Sequence, residues 1–157
     1  MTYLIILLGV LAIAGSLMWI LPSPADRKRM ALRQAAIAKG IEVRQTPYND
    51  KNGESVTCIG YTCRIARPQG DIEIILQHEL NDSLHWTGWP AAVNDRRLQP
   101  HWSALQQMVA SLPDDVVRVS ITSAYVSVLW QEKGTSEALD NIMHFLHQVK
   151  GWLEPSV

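Results

Sequence analysis

The pattern of apolar and polar residues changes abruptly at Pro22. Before it, residues 3–21 read YLIILLGVLAIAGSLMWIL and contain no charged side chain, whereas the chain from Pro22 onward continues as the polar and basic PSPADRKRMALRQ. A helix rises about 1.5 Å per residue, so the apolar segment would be roughly 28 Å long, close to the hydrocarbon thickness of a bilayer. The pattern predicts a transmembrane anchor over residues 1–22.

A cleaved signal peptide is the main alternative for this segment. No Lys or Arg precedes the apolar run, the run is longer than the apolar part of a signal peptide, and residues 18–22 make a poor cleavage site. Tyr3 and Trp19 lie near its two ends, where interfacial aromatic residues are typical. We therefore expect a retained anchor, with a signal-peptide protein that acts outside the membrane as the lesser alternative.

Four basic residues follow the apolar segment: Arg27, Lys28, Arg29 and Arg33. Basic residues beside a span favour the cytoplasmic side, so the sequence predicts a single-pass protein of the cell (inner) membrane whose soluble domain is cytoplasmic. The same four residues are candidate contacts for anionic lipid headgroups, each worth about 1 kcal/mol near the surface. A topology signal without further role is the alternative. The net charge of −1 argues against nucleic-acid binding.

Periodicity downstream of the anchor predicts a juxtamembrane helix and a small α+β domain. Residues 23–40 form a basic helix that Ser23 or Asp26 caps and Gly40 ends. In the soluble domain, residues 41–157, alternation predicts five strands, at residues 41–45, 56–65, 71–78, 116–122 and 125–131. Helical spacing predicts two more helices, at residues 101–112 and 136–153. The expected order is transmembrane helix–α–βββ–α–ββ–α, with two or three helices on one face of an antiparallel or mixed sheet.

Two connections and two cysteines carry more specific expectations. Residues 67–70 (RPQG) have turn-forming composition and predict a hairpin between the second and third strands, and the polar residues 46–55 are expected to form a loop. Cys58 and Cys63 lie five positions apart and so fall on opposite faces of one strand, with Cys63 on the apolar side. In a reducing cytoplasm, both are expected to be small buried or half-buried thiols.

No residue set has the spacing of a catalytic or metal-binding motif. Nucleophile elbows, glycine-rich phosphate loops and the H-E-x-x-H zinc pattern are absent from the sequence. Asp140, His144 and His147 share one face of the last predicted helix, but such a face is far more often solvated than metal-bound. The sequence therefore predicts no catalytic residue, no metal and no cofactor, and it favours a role other than catalysis.

The irregular segment at residues 81–100 is the most distinctive part of the predicted domain. It contains two tryptophans, Trp86 and Trp89, beside Arg96 and Arg97. Trp and Arg dominate the binding energy of protein–protein interfaces, so these four residues are candidate partner contacts. The alternative is that both indoles fold inward and close one end of the core.

Two classes of function fit these features. The first is a membrane-anchored interaction or assembly module for a membrane complex, with the lipid bilayer and a second membrane protein as partners, because tethering raises the effective concentration of weak binders. The second is a membrane-tethered enzyme or ligand-binding domain whose site folding assembles from scattered residues: His78, Glu79, His85, Arg96 and Arg97. No sequence feature names the partner or the oligomeric state.

Overall fold

The computed structural model of the protein describes residues 3, 5–7, 23–49, 53–78, 85–91 and 93–154. The chain divides into two compact units, Met1–Ala31 and Leu32–Val157. In the first unit, Tyr3 and residues 5–7 are helical, with relative exposures of 58% to 88%. The remainder of the predicted anchor lies outside the described residues. Of the helices that the described residues form, none is long and apolar enough to cross a membrane.

Helix α1 (Pro24–Ala38) confirms the helix predicted after the break. At its start, the Ser23 hydroxyl accepts a 3.1 Å hydrogen bond from the backbone N–H of Asp26 and donates one of 2.7 Å to the Asp26 carboxylate. The cap is therefore Ser23, with Asp26 in the reciprocal position. Gly40 follows the helix with φ of +79°, a conformation that glycine adopts without steric cost.

In the described part of the chain, six antiparallel strands form one sheet: β1 (Glu42–Asn49), β2 (Ser55–Arg64), β3 (Glu73–His78), β4 (Trp86–Thr87), β5 (Val116–Thr122) and β6 (Tyr125–Trp130). Their order across the sheet is β1-β2-β6-β5-β3-β4. Together with the helices, this sheet confirms the α+β class. The expected number of about five strands was wrong, because β4 forms against β3 within the irregular segment. Two residues are too few to leave an alternating pattern in the sequence.

The predicted hairpin between the second and third strands is also wrong. The β5–β6 hairpin is inserted between them, so β2 pairs with β6 and β3 pairs with β5. At the tip of this hairpin, the N–H of Ile65 donates to the carbonyl of Ala124 at 2.9 Å, and the N–H of Ser123 donates to the carbonyl of Ile72 at 3.2 Å. Residues 66–71 therefore pass around the tip instead of making a tight turn.

The local hairpin is formed by β1 and β2, which pair in continuous register over all eight residues of β1. The expected loop at residues 46–55 is therefore too long, because its first part extends β1 to Asn49. Tyr48 supplies the physical reason. Its half-buried side chain packs against a small cluster of Cys58, Val117 and Leu129, so the polar sequence around it is held in the sheet.

Helices α2 (Trp102–Ala110) and α3 (Ser136–Leu153) complete the second unit, with one turn of 3₁₀ helix at Gln99–His101 before α2. The apolar stripe predicted on the last helix is confirmed, since all of its members are buried: Leu139, Ile142, Met143, Leu146, Val149 and Leu153. These residues join side chains of α2, of the second half of α1 and of one sheet face in the main core.

Both cysteines are buried free thiols on opposite sides of β2, as predicted. Cys63 belongs to the main core, and Cys58 to the small cluster on the other face. Desolvation raises the pKa of both thiols, so each stays protonated and packs as a small apolar side chain.

Candidate interaction site

A buried ion pair holds the second half of α1 against the loop that follows β6. Glu132 is 5% exposed, and its carboxylate accepts hydrogen bonds from Arg33 through Nε, at 2.9 and 3.1 Å, and through Nη2, at 2.5 Å. The hydroxyl of the fully buried Tyr61 donates a further bond of 2.7 Å to the same carboxylate. Burial, followed by this carboxylate, raises the pKa of Tyr61 far above its ordinary range, so the phenol remains a donor.

The backbone around Glu132 is as constrained as its side chain. Its φ of +57° is the one positive φ of a non-glycine residue among those described. Trp130, two residues earlier, is fully buried with its ring 5.7 Å from that of Tyr61. At Gly134, an added Cβ would lie 2.8 Å from Ala138 and 3.0 Å from the Trp130 ring. Such conformations persist where the surroundings over-determine them, so this loop is a rigid support for Arg33.

The two candidate tryptophans, Trp86 and Trp89, are both half-buried and pack against the main core. The Trp86 ring lies 5.0 Å from that of His78, and the Trp89 ring meets Trp102 edge-on at 5.2 Å. Gly88 between them has φ of +95°, and a Cβ there would overlap the backbone of β3. The segment is therefore tied to β3, and each indole keeps part of its surface exposed.

The two candidate arginines differ in their surroundings. Arg96 is exposed, whereas the guanidinium of Arg97 binds the Asp95 carboxylate at 3.0 and 2.8 Å, the carbonyl of Leu153 at 2.9 Å and the carbonyl of Gln69 at 2.6 Å. The hydrogen bond from Arg97 holds the pKa of Asp95 below its usual range. Arg97 therefore joins the connection after β2 to the end of α3. Partner contact through Trp86, Trp89, Arg96 and Arg97 stays a prediction.

The four candidate lipid contacts fall in two different units of the chain. Arg27, Lys28 and Arg29 are exposed on α1 in the first unit. Arg33 belongs to the second unit, where it binds Glu132 with 36% of its side chain exposed. Contact of these four residues with lipid headgroups stays a prediction.

One face of the sheet carries no helix within the described part of residues 32–154. The buried residues of the helices all belong to the main core, whereas the small cluster on the opposite face contains strand residues alone. Side chains on this uncovered face include the hydrogen-bonded pair Thr62 and Ser127, with 2.9 Å between their hydroxyl oxygens. Two large apolar residues on the face, Ile75 and Tyr125, are 40% and 41% exposed.

An open groove of about 520 Å³ lies at one side of the uncovered face, with these lining residues: Glu42, Arg44, Thr62, Arg64, Ile65, Pro68, Ala124 and Tyr125. The side chains of Arg44 and Arg64 are 77% and 75% exposed. Both contact the carboxylate of Glu42, at 3.4 and 2.8 Å respectively. The groove therefore presents two cations for one anion, beside the exposed ring of Tyr125.

One of the residues proposed for a scattered ligand site, His78, lies in a cleft among the described residues. His78 lines a cleft of about 270 Å³ together with Trp86 and Asp114, and its Nδ1 is buried without a hydrogen-bond partner in the described part of the chain. His85, Arg96 and Arg97 are not among the residues that line this cleft. Glu79 lies outside the described residues.

The shared face of Asp140, His144 and His147 is exposed on α3. Asp140 forms an exposed ion pair with Lys39 at 3.4 Å. Across residues 23–49, 53–78, 85–91 and 93–154, no group of three or more His, Cys, Asp or Glu side chains is placed to hold a metal ion.

Two features were missed in the sequence, the buried ion pair of Glu132 and the groove. Glu132 lies between a strand and a helix and looks like an ordinary turn residue, because nothing in its local sequence signals a positive φ or a partner as remote as Arg33. The groove combines the β1–β2 hairpin with the tip of the β5–β6 hairpin, and their contact depends on the strand order. The available sequence signal was the position of an aromatic residue, Tyr125, on the side of the predicted strand opposite the apolar Val126 and Val128.

Comparison with protein-family models, with curated protein sequences and with solved structures finds no match to this chain.

Proposed function

We propose that this protein is a single-pass, membrane-anchored interaction module that assembles a membrane complex through its cytoplasmic domain. The uncovered face of the sheet is the observation that carries the proposal. A sheet normally buries at least one face, and in this domain the helices of the second unit all contribute to the core on the other face. The uncovered face with its groove is thus a surface available for a partner.

The anchor part of the proposal rests on the uncharged run at residues 3–21. Four described residues of the run, Tyr3 and residues 5–7, are helical and expose large apolar side chains. Exposed apolar side chains in a helix are stable in lipid and costly in water. The basic residues that follow favour the cytoplasmic side for the domain.

The chemistry of the groove indicates the kind of partner. Arg44 and Arg64 together share a single carboxylate, that of Glu42, and both guanidinium groups remain largely exposed. Tyr125 adds an exposed aromatic ring at the same place. Aromatic and Arg side chains are the residue types that contribute most at interfaces. We therefore propose a protein segment with acidic and apolar side chains, supplied by another membrane protein.

Site-specific photo-crosslinking in native membranes tests this function. A photoreactive phenylalanine analogue replaces Tyr125 in the full chain, and the matched control carries it at Gln148, an exposed position on α3. We expect a protein adduct at position 125 that is absent at position 148. Addition of Arg64→Glu to the first variant should reduce the adduct, because it reverses a charge in the groove.

Other outcomes would contradict the proposal. Equal adducts at positions 125 and 148, or adducts with lipid alone, would show that the groove is not a protein-binding surface. A protein adduct that Arg64→Glu leaves unchanged would show that the partner is not the acidic segment proposed here. Circular dichroism of each purified variant shows whether the fold is retained.

A further inference from the structure

The two edges of the sheet are unequal. The edge at β4 is only two residues long, whereas β1 at the other edge has eight residues and pairs on one side alone within the described chain. An unpaired strand edge offers a row of backbone donors and acceptors to another strand. Short edge strands avoid this pairing, and β1 is not short. The β1 edge is therefore the place where another strand can be added.

The hydrogen bonds of β2 show which residues of β1 face outward. Ile65 directly follows β2, and its N–H points toward the β6 side, where it donates to the carbonyl of Ala124, the residue before β6. Backbone groups of a strand alternate in direction, so the even-numbered residues of β2 point toward β1. Their partners in β1 are also even-numbered, from Glu42 opposite Thr62 onward. The odd-numbered residues of β1 therefore point their N–H and C=O groups away from the sheet.

Pro47 fits this assignment and limits the pairing. It lies within the continuous β1–β2 register at an odd-numbered position, where its missing N–H does not interrupt the ladder. The same residue removes a donor from the outer edge. The outward N–H groups before it belong to Val43 and Gln45, so a strand added here would pair chiefly with residues 41–45.

Charge selects one register for two copies of this strand. With Val43 on a two-fold axis, Glu42 of each copy lies opposite Arg44 of the other, which gives two cross-strand pairs of opposite charge. With Arg44 on the axis, two arginines oppose each other, which is destabilising. With Gln45 on the axis, Val43 faces Pro47 and a hydrogen bond is lost. The sequence Glu42-Val43-Arg44 is thus complementary to itself when antiparallel.

We propose that the second copy of this chain pairs with the first through antiparallel β1 strands, with Val43 on the two-fold axis. The axis of such a pair is perpendicular to the sheet, so the two sheets become continuous and their uncovered faces lie on the same side. Glu42 and Arg44, which contact each other at 3.4 Å within one chain, then also meet across the interface. This inference does not depend on the partner proposed for the groove.

Reversing the charges of Glu42 and Arg44 in the full chain, solubilised in detergent, tests the proposed register of the two β1 strands. Arg44→Glu places like charges opposite each other, so sedimentation over a concentration series should show the dimer dissociation constant raised by about tenfold or more. The double variant Glu42→Arg/Arg44→Glu restores opposite charges and should recover most of this loss. Lys133→Glu makes the same change of charge at an exposed position outside β1 and should have no effect.

Cysteine crosslinking locates the axis independently. Val43→Cys should give a dimer under mild oxidation, whereas Asn49→Cys, on the same edge but beyond Pro47, should not. The native thiols Cys58 and Cys63 are buried and do not interfere. A monomeric wild type, a dimer that Arg44→Glu leaves intact, a double variant that fails to recover, or crosslinking at position 49 instead of 43 would each overturn the proposal.

Discussion

Arg33 and Glu132, 99 residues apart in the sequence, meet in a paired set of hydrogen bonds at the surface of the core. The carboxylate is almost fully buried, and the arginine is about one-third exposed. A buried carboxylate is costly unless all of its acceptor capacity is used, and here Arg33 and Tyr61 together supply its donors. The pair therefore fixes where the second half of α1 lies on the domain.

Removal of Arg33 should expose the cost of this burial. In Arg33→Met the carboxylate of Glu132 keeps the hydrogen bond from Tyr61 but loses its counter-ion, and we expect a loss of about 1.5–3 kcal/mol in the free energy of unfolding. Arg29→Met, at an exposed position of the same helix, should change it by less than about 0.5 kcal/mol. Urea unfolding of the full chain in detergent measures both. Equal stabilities would show that the pair contributes nothing.

The stripe on α3 gives a second matched comparison. Leu146 is fully buried, so Leu146→Ala removes buried methyl groups and leaves a cavity, at a cost of about 2–5 kcal/mol. His144→Ala, on the exposed face of the same helix, should stay within about 0.5 kcal/mol. Thermal unfolding of the two variants distinguishes them, and equal melting temperatures would contradict the packing of α3.

The Asp95–Arg97 pair should make stability depend on pH. Because the folded pKa of Asp95 is lowered, its contribution is fully present above its unfolded pKa, about 3.9, and is lost as the pH falls through the folded value. Arg97→Met removes the main cause. The difference in unfolding free energy between wild type and Arg97→Met should therefore be largest near neutral pH and shrink under acid conditions.

Two measurements check this pH dependence. Carboxyl NMR should find the pKa of Asp95 closer to its ordinary value in Arg97→Met than in wild type. Arg96→Met, at the exposed neighbouring position, should leave both the pKa and the stability curve unchanged. A stability difference that is independent of pH would mean that the Arg97 bonds to the carbonyls of Leu153 and Gln69 account for the whole effect.

Membrane extraction and reporter fusion test the anchor and its orientation. We expect the intact chain to remain in the membrane fraction during carbonate extraction, because about twenty apolar residues suffice to span the bilayer. A phosphatase that requires export, fused after Val157, should be inactive. A mature product that begins near Ala25 would indicate a cleaved signal peptide, and an active phosphatase would reverse the orientation.

The sequence predicted the elements of this fold better than their arrangement. The apolar residues of α3 recur at helical spacing, and those of the β5–β6 hairpin recur at every second position. The bounds of both were therefore predicted to within about one residue. Strand β4 was missed because it is held by the close approach of Gly88 to β3, a tertiary contact that the alternation of residues does not encode. Local periodicity could not predict the strand order either, because alternation shows which face of a strand is apolar but not which strands lie beside it.

The candidate residues show the same division between local and tertiary information. The aromatic segment drew attention to Trp86 and Trp89, and both prove to be half-buried. Composition could not distinguish Arg96 from Arg97, although one is exposed and the other binds two carbonyls and a carboxylate. That difference depends on where the end of α3 lies, and so it requires the folded chain.

The insertion of the β5–β6 hairpin between β2 and β3 determines when this domain can form during synthesis. The ribosome releases β1, β2 and β3 early. Because β5 and β6 lie between β2 and β3 in the sheet, neither β2 nor β3 has its partner on that side until the hairpin emerges much later. Apolar side chains such as Tyr61 and Leu76 stay unsheltered over that interval. Helix α3, whose apolar stripe belongs to the same core, is the last of the described elements in chain order. The nascent domain therefore keeps apolar strand residues exposed until α3 has been synthesised, which favours aggregation or chaperone binding over that interval.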